Sequence, residues 1–144
     1  MILDMANEYE EKREILKDII LKEEDVLARL QRLVKLAKPF VKIEENTGRT
    51  VLSTDFSFTN YEKIFLVLLG KYFAYHYGII EENTVKLRDI SDELEIKVTT
   101  LSSPISRLIR DRVINKPQKD TYLINPHKIE ATLKKIGRKH QRRE

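Results

Sequence analysis

The sequence contains no cysteine among its 144 residues. A disulfide framework and a zinc site built on thiolates are therefore excluded. No apolar run approaches the roughly 20 residues that a membrane-spanning helix needs, and the opening stretch MILDMANEYEEKRE lacks the layout of a secretory signal. These absences predict a cytoplasmic protein that has no membrane partner.

Motifs of catalysis and nucleotide binding are missing as well. The sequence has no nucleophile elbow, no phosphate-binding P-loop and no dinucleotide fingerprint. Its histidines, His76, His127 and His140, are far apart and have no partners at the spacing of metal ligands. We therefore expect a protein that is not an enzyme and that uses no metal, cofactor or small-molecule ligand.

Positive charge is concentrated at one end of the chain. The net charge is +4, but residues 1–40 carry 8 basic and 9 acidic groups, and residues 41–100 carry 7 and 10. Residues 101–144 carry 12 basic and 4 acidic groups, a local net charge of +8. This distribution is typical of a protein whose C-terminal part binds a polyanion.

Glycine and proline are absent from residues 1–38, and Pro39 is the first helix breaker. Apolar residues recur there at alternating spacings of three and four, which is the pattern of coiled-coil seams. We predict that the segment 1–39 forms an amphipathic helix of about 35 residues, about 50 Å long, and that this helix forms a homodimer. Its dimerisation residues are Leu16, Ile19, Val26, Leu30 and Leu33. The alternative is a bend near residues 22–24 that lets both halves pack within one molecule.

Residues 40–58 predict a β-hairpin followed by a linker. Val41 and Ile43 alternate with charged residues, the turn sequence 46–48 contains glycine, and residues 50–52 form the returning strand. The glycine turn is too short to bind phosphate, so we expect a structural role for this hairpin.

A strongly apolar helix follows over residues 61–78. Thr59 or Asn60 can cap it, Glu62 lies in its first turn, and Gly78 ends it. We expect this helix to be the centre of the C-terminal domain. Its four tyrosines are expected to be core and interface residues rather than platforms for base stacking: Tyr61, Tyr72, Tyr75 and Tyr77.

Residues 85–124 predict a short strand, a helix, a tight turn, a second helix and a two-stranded wing. Ile90 and Leu94 mark the first helix, and Glu95 stands in the turn where glycine is usual. Leu101, Ile105 and Leu108 mark the second helix. Strands are predicted at 113–114 and 122–124, on either side of a lysine-containing turn.

This arrangement resembles the winged helix-turn-helix domain of archaeal and bacterial transcription regulators. The resemblance covers residues 59–136 and lies in the apolar spacing across both helices into the wing. The residues that carry it are Ile90, Leu94, Ile96, Leu101, Ile105, Leu108, Val113 and Ile114. It implies DNA binding through the second helix, although such folds also serve as protein-interaction modules.

The polar face of the second helix carries hydroxyl and guanidinium groups and no carboxylate. Such groups can contact phosphates and base edges. We predict DNA contact through this face and through the wing lysines: Thr99, Thr100, Ser103, Ser106, Arg107, Arg110, Lys116 and Lys119. Pro104 leaves two alternatives open, a helix that contains the proline or a shorter helix capped by Ser103.

A last helix is predicted after residues 125–126, with Gly137 as its end. Residues 138–144 are expected to be a disordered basic tail. The predicted organisation is thus a mainly helical α+β protein with a long N-terminal helix over 1–39, a hairpin and linker over 40–58, a winged helix-turn-helix domain over 59–137 and the tail. The predicted function is double-stranded DNA binding by a dimeric transcription regulator. The alternative is a winged-helix interaction module within a larger complex.

Overall fold

A computed structural model describes residues 2–20 and 23–141 of the protein. This part of the chain contains six α-helices, a short 3-10 helix at Lys17–Ile19 and two small antiparallel sheets, which confirms the predicted mixture of α and β structure. The helices are α1 (Ile2–Leu16), α2 (Glu23–Ala37), α3 (Asn60–Tyr77), α4 (Leu87–Leu94), α5 (Val98–Arg110) and α6 (Pro126–Gln141). The strands are β1 (Val41–Ile43), β2 (Thr50–Leu52), β3 (Val85–Lys86), β4 (Ile114–Gln118) and β5 (Thr121–Ile124).

The chain divides into two compact units, Met1–Arg32 and Leu33–Glu144. In the first unit, the helix predicted to be continuous over residues 1–39 is replaced by two α-helices. The first ends at Leu16, and the backbone is extended at Ile20, with φ −93° and ψ 122°, which interrupts helical hydrogen bonding. The alternative bend near residues 22–24 includes Lys22, which lies outside the described residues.

Helix α3 is the centre of the second unit, as its apolar sequence predicts. The Thr59 hydroxyl accepts a hydrogen bond from the Glu62 backbone at 3.2 Å, and the Glu62 carboxylate accepts one from the Thr59 backbone at 2.9 Å. This reciprocal capping box satisfies backbone donors that a helix start otherwise leaves free. Gly78 ends the helix in the left-handed conformation, with φ 90°, and the core residues between these caps include Ile64, Phe65 and Leu68.

The predicted β-hairpin forms and packs on α3 rather than standing apart. Strands β1 and β2 are antiparallel, with Val41 opposite Leu52. Thr50 is buried against Gly70, where a Cβ atom would lie only 2.0 Å from the Thr50 hydroxyl oxygen. The hairpin can approach the helix this closely because residue 70 has no side chain.

A second link joins the hairpin to two helices. Lys71 on α3 donates to the backbone carbonyl of Gly48 at 3.1 Å and forms an ion pair with Glu93 on α4. Both charged side chains are largely buried. Removing either partner would leave an uncompensated charge away from water, which is destabilising.

The order of elements from α3 to β5 is helix, strand, helix, helix, strand, strand, and helix α6 follows. In the sheet, β5 lies in the middle, with Val85 of β3 opposite Tyr122 and Ile114 of β4 opposite Ile124. The tight turn between α4 and α5 places Glu95 in the left-handed conformation, with φ 56°, at the position where glycine is usual.

The prediction of a disordered basic tail from residue 138 is wrong for its first four residues. Helix α6 continues through Gly137 to Gln141, and His140 is only 3% exposed. The His140 ring lies 3.3 Å from a carboxylate oxygen of Glu62 and 5.1 Å from the centre of the Phe58 ring. These contacts offset the entropy lost on ordering the segment. The rest of the predicted tail, residues 142–144, lies outside the described residues.

Within the described ranges, no helix combines the length and the apolar character that crossing a bilayer requires.

Candidate nucleic-acid interface

Helix α5 buries one face and exposes the other. Leu101, Ile105 and Leu108 are buried in the core, and Pro104 is buried beside them inside the helix. The helix therefore begins before the proline, and the alternative of a shorter helix capped by Ser103 is not formed. The six predicted contact residues of this helix are all exposed: Thr99, Thr100, Ser103, Ser106, Arg107 and Arg110.

The start of α5 is also free of negative charge. Lys97 is its N-cap residue, and no acidic side chain lies in the first turn. A helix N-terminus carries a partial positive charge and points backbone N–H groups outward. The helix dipole therefore favours anions at the start of the exposed face, and near its other end Arg107 and Arg110 supply positive charge against the dipole.

The predicted wing corresponds to the antiparallel pair of β4 and β5, and it is longer than the sequence predicted because β4 continues to Gln118. The two predicted contact residues of the wing, Lys116 and Lys119, are exposed. Asp120 makes the turn between the strands in the left-handed conformation, with φ 54°. This turn carries an acid next to Lys119, so the wing is less uniformly cationic than the exposed face of α5.

The two arginines of α5 belong to a network that sequence reasoning missed. The Tyr61 hydroxyl of α3 donates a hydrogen bond of 2.7 Å to the Asp111 carboxylate, at the C-terminal end of α5. The guanidinium of Arg107 lies 5.5 Å from the centre of the Tyr61 ring, a cation–π distance. The other Asp111 oxygen lies 3.6 Å from Nε of Arg110. Tyr61 is 46 positions from Arg107 in sequence, and no local pattern links the two.

Arg110 remains available despite its contact with Asp111. Its side chain is 73% exposed, the Asp111 side chain is 44% exposed, and the 3.6 Å contact is long for an ion pair. Solvent screens exposed pairs of this kind, so they contribute little to stability. An incoming phosphate could therefore take over this guanidinium at little cost.

The network sets the ionisation of its members. Burial, followed by the hydrogen bond to Asp111 and the charge of that carboxylate, raises the pKa of Tyr61 to about 12. The hydrogen bond from Tyr61 is the largest cause of a lowered pKa for Asp111, and the positive charges of Arg110 and Lys135 lower it further. At neutral pH the tyrosine is therefore a neutral donor and the aspartate is charged.

A second, buried network lies at the start of α3, next to Tyr61. Burial alone would raise the pKa of Glu62, but hydrogen bonds from the Thr59 backbone and from Lys139 lower it by more, so the net shift is downward. The Lys139 ammonium lies 3.2 Å from the carboxylate. This charge contributes to the structure by fixing α6 to the start of α3.

The predicted dimerisation residues fall into two groups. Leu16, Ile19 and Val26 are exposed, and Leu30 is half-buried. Leu33 requires a correction: it is 1% exposed, because it packs into the core of its own chain. It is therefore not available to a partner.

In residues 2–20 and 23–141, no group of three or more potential ligands is placed to hold a metal ion.

Comparison of the chain with protein-family models, with curated proteins and with solved structures found no match.

Proposed function

We propose that the protein binds double-stranded DNA as a dimeric winged helix-turn-helix regulator, with α5 as the recognition helix. The order of α3, β3, α4, α5, β4 and β5, with β5 in the middle of the sheet, supports this proposal because it corresponds to the winged-helix arrangement. In that arrangement the second helix of the helix-turn-helix enters the major groove.

The observation that carries the proposal is the exposed face of α5. It presents two guanidiniums, no carboxylate and five hydroxyl side chains, which are the four predicted ones and Ser102, while the opposite face of the helix is buried. Arg107 and Arg110 can fork onto guanine or pair with phosphate, and the short hydroxyls permit a close approach to the DNA. Lys116 and Lys119 would contact phosphates or the adjacent minor groove.

Dimerisation is part of the proposal and depends on the exposed apolar residues of the N-terminal segment. They occur from the end of α1 to α2: Ile15, Leu16, Ile19, Ile20, Val26, Leu27 and Val34. Apolar side chains this frequent on a surface usually mark an interface. A dimer would present two α5 helices to two half-sites of one duplex.

The test is a fluorescence-anisotropy titration of a mixed-sequence duplex at 50 and 200 mM salt. We expect binding that weakens steeply with salt, because neutralised phosphates release counterions. Arg107→Ala should cost about 1–3 kcal/mol if this residue reads a base. Arg49→Ala is the matched control, since it removes an exposed arginine from the hairpin rather than from α5.

Two results would exclude this function. One is the absence of duplex binding by the wild-type protein at low salt. The other is binding that charge reversal at Arg107 and Arg110 leaves unchanged.

A second candidate function, binding another protein, is favoured by a cleft on the second unit. This cleft has a volume of about 450 Å³ and lies beside α6. Its floor is apolar and its rim is cationic, with Phe40, Phe56 and Leu133 below and Lys35, Lys134 and Arg138 above. A partner segment that combines apolar and acidic side chains would fit these groups. Loss of duplex binding in the titration would favour this alternative.

A further inference from the structure

Asp111 lies among groups that normally bind a phosphate. The Tyr61 hydroxyl donates to it at 2.7 Å from α3, Arg110 lies 3.6 Å away on α5, and the positive charge of Lys135 acts on it from α6. Arg107 stacks on the same tyrosine ring. Three elements thus supply one neutral donor and two cations that act on the carboxylate, and a third cation, Arg107, lies over the ring of that donor.

We propose that Asp111 occupies an anion site from within, and that a nucleic-acid phosphate competes with its carboxylate for Arg110 and the neighbouring cations. This inference depends on the proposed DNA-binding function and adds an internal competitor that limits the affinity of the site. Asp111 therefore weakens binding to any phosphate backbone.

The position of Asp111 supports a role in binding rather than in helix stability. It is the C-cap residue of α5, where a negative charge is opposed by the helix dipole. Tyr61, Arg110 and Lys135 offset this unfavourable placement. The 44% exposure of the carboxylate means that solvent, and therefore a phosphate, can reach the same cations.

The net charge of the cluster determines whether Asp111→Asn strengthens or weakens phosphate binding. Arg107, Arg110 and Lys135 contribute +3 and Asp111 contributes −1, so the cluster has a net charge of +2. Asp111→Asn retains a side-chain oxygen that can accept from Tyr61 and raises the net charge to +3. If the aspartate served only to join α3 to α5, this change would leave binding unchanged or weaken it.

The first experiment titrates the protein with inorganic pyrophosphate. Binding is measured by calorimetry and by the shifts of the NMR signals of the arginine Nε–H groups. We expect Asp111→Asn to bind pyrophosphate at least threefold more tightly than the wild-type protein, with the Arg110 signal shifting at saturation. Asp55→Asn is the matched control, because it removes the charge of another exposed aspartate far along the chain. It should not tighten pyrophosphate binding.

The second measurement is a duplex titration at 50, 100 and 200 mM salt. One additional effective cation steepens the slope of log affinity against log salt by about 0.9. The ratio of the duplex affinity of Asp111→Asn to that of wild type should therefore fall about 3.5-fold between 50 and 200 mM salt. Adding Arg110→Gln to Asp111→Asn should remove most of the gain, since Arg110 is the cation that Asp111 contacts directly.

The outcomes separate this inference from the proposed function. Tighter pyrophosphate binding by Asp111→Asn without duplex binding by either protein would support the anion site and overturn the DNA-binding proposal. Duplex binding that is equal or weaker in Asp111→Asn, with unchanged thermal stability, would overturn the inference alone. If Asp111→Asn lowers thermal stability, Asp111→Ser provides the same charge change, and its failure to bind pyrophosphate more tightly would also overturn the inference.

Discussion

Replacing Gly70 by alanine tests how the hairpin packs on α3. The new Cβ atom would lie 2.0 Å from Oγ1 and 2.7 Å from Cγ2 of Thr50, far inside contact distance. Overpacking of this kind costs about 1–3 kcal/mol, and such a short distance favours the upper end. Alanine is better than glycine in a helix by about 1 kcal/mol. The expected net loss of unfolding free energy is therefore about 2 kcal/mol.

Gly137→Ala is the matched control for this substitution. Gly137 also lies within a helix, but a Cβ atom there would meet nothing within 4 Å. Only the helix-propensity gain remains, so this variant should be about 1 kcal/mol more stable than wild type. At about 4 °C per kcal/mol for a domain of this size, thermal denaturation should place the two variants about 12 °C apart, on opposite sides of the wild-type protein.

A double-mutant cycle tests whether the destabilisation by Gly70→Ala arises from contact with Thr50. Thr50→Ala removes Oγ1 and Cγ2, the two atoms that the new methyl group meets first. Loss of Oγ1 also removes the hydrogen bond of 3.4 Å that this hydroxyl donates to the Val67 carbonyl. The double variant should be at least 1 kcal/mol more stable than the sum of the single effects predicts. If Gly70→Ala stabilises the protein as Gly137→Ala does, the close packing of hairpin and helix is refuted.

Three further predictions concern single residues. The pKa of Glu62 is lower in the folded protein than its unfolded value of 4.5, so the charged carboxylate stabilises the fold above pH 4.5. This contribution is lost as the pH falls through the folded pKa. The difference in melting temperature between wild type and Glu62→Gln should therefore narrow from pH 7 to pH 3. Glu95→Gly should raise the free energy of unfolding in urea by about 0.5–1 kcal/mol, because residue 95 is left-handed. Val26→Asp should convert the proposed dimer to a monomer, as measured by light scattering. Leu33→Ala should instead lower the unfolding free energy by about 2–5 kcal/mol, because Leu33 lies in the core of its own chain.

Local patterns in the sequence were enough to predict most secondary structure of the second unit. The spacing of Leu101, Ile105 and Leu108 predicted the buried face of α5, and the turn residues near Gly48 predicted the hairpin. Thr59 and Glu62 predicted the start of α3. These features depend on neighbours within a few positions, and periodicity and capping residues report such neighbours directly.

The features that sequence reasoning missed depend on contacts between distant parts of the chain. The tail was predicted to be disordered because it is basic and follows a glycine, but His140 is buried beside Glu62, 78 positions earlier. The spacing of Leu33 is as compatible with a dimer seam as with an intramolecular core, and periodicity alone cannot distinguish the two. Tyr61 and Arg107 meet only because α3 and α5 pack together.

Under the proposed function, the basic residues of the C-terminal third have two purposes, and only one of them concerns a polyanion. Lys139 neutralises the buried Glu62 carboxylate, and Arg110 is partly compensated by Asp111. These charges contribute less to the attraction of phosphate than the local net charge of +8 suggests. The salt slope of duplex binding should accordingly correspond to fewer phosphates than the 12 basic side chains of residues 101–144. Because Lys139 fixes α6 to the start of α3, and Tyr61 of α3 holds Arg107 and Asp111, the structural charge helps to set where the exposed charges lie.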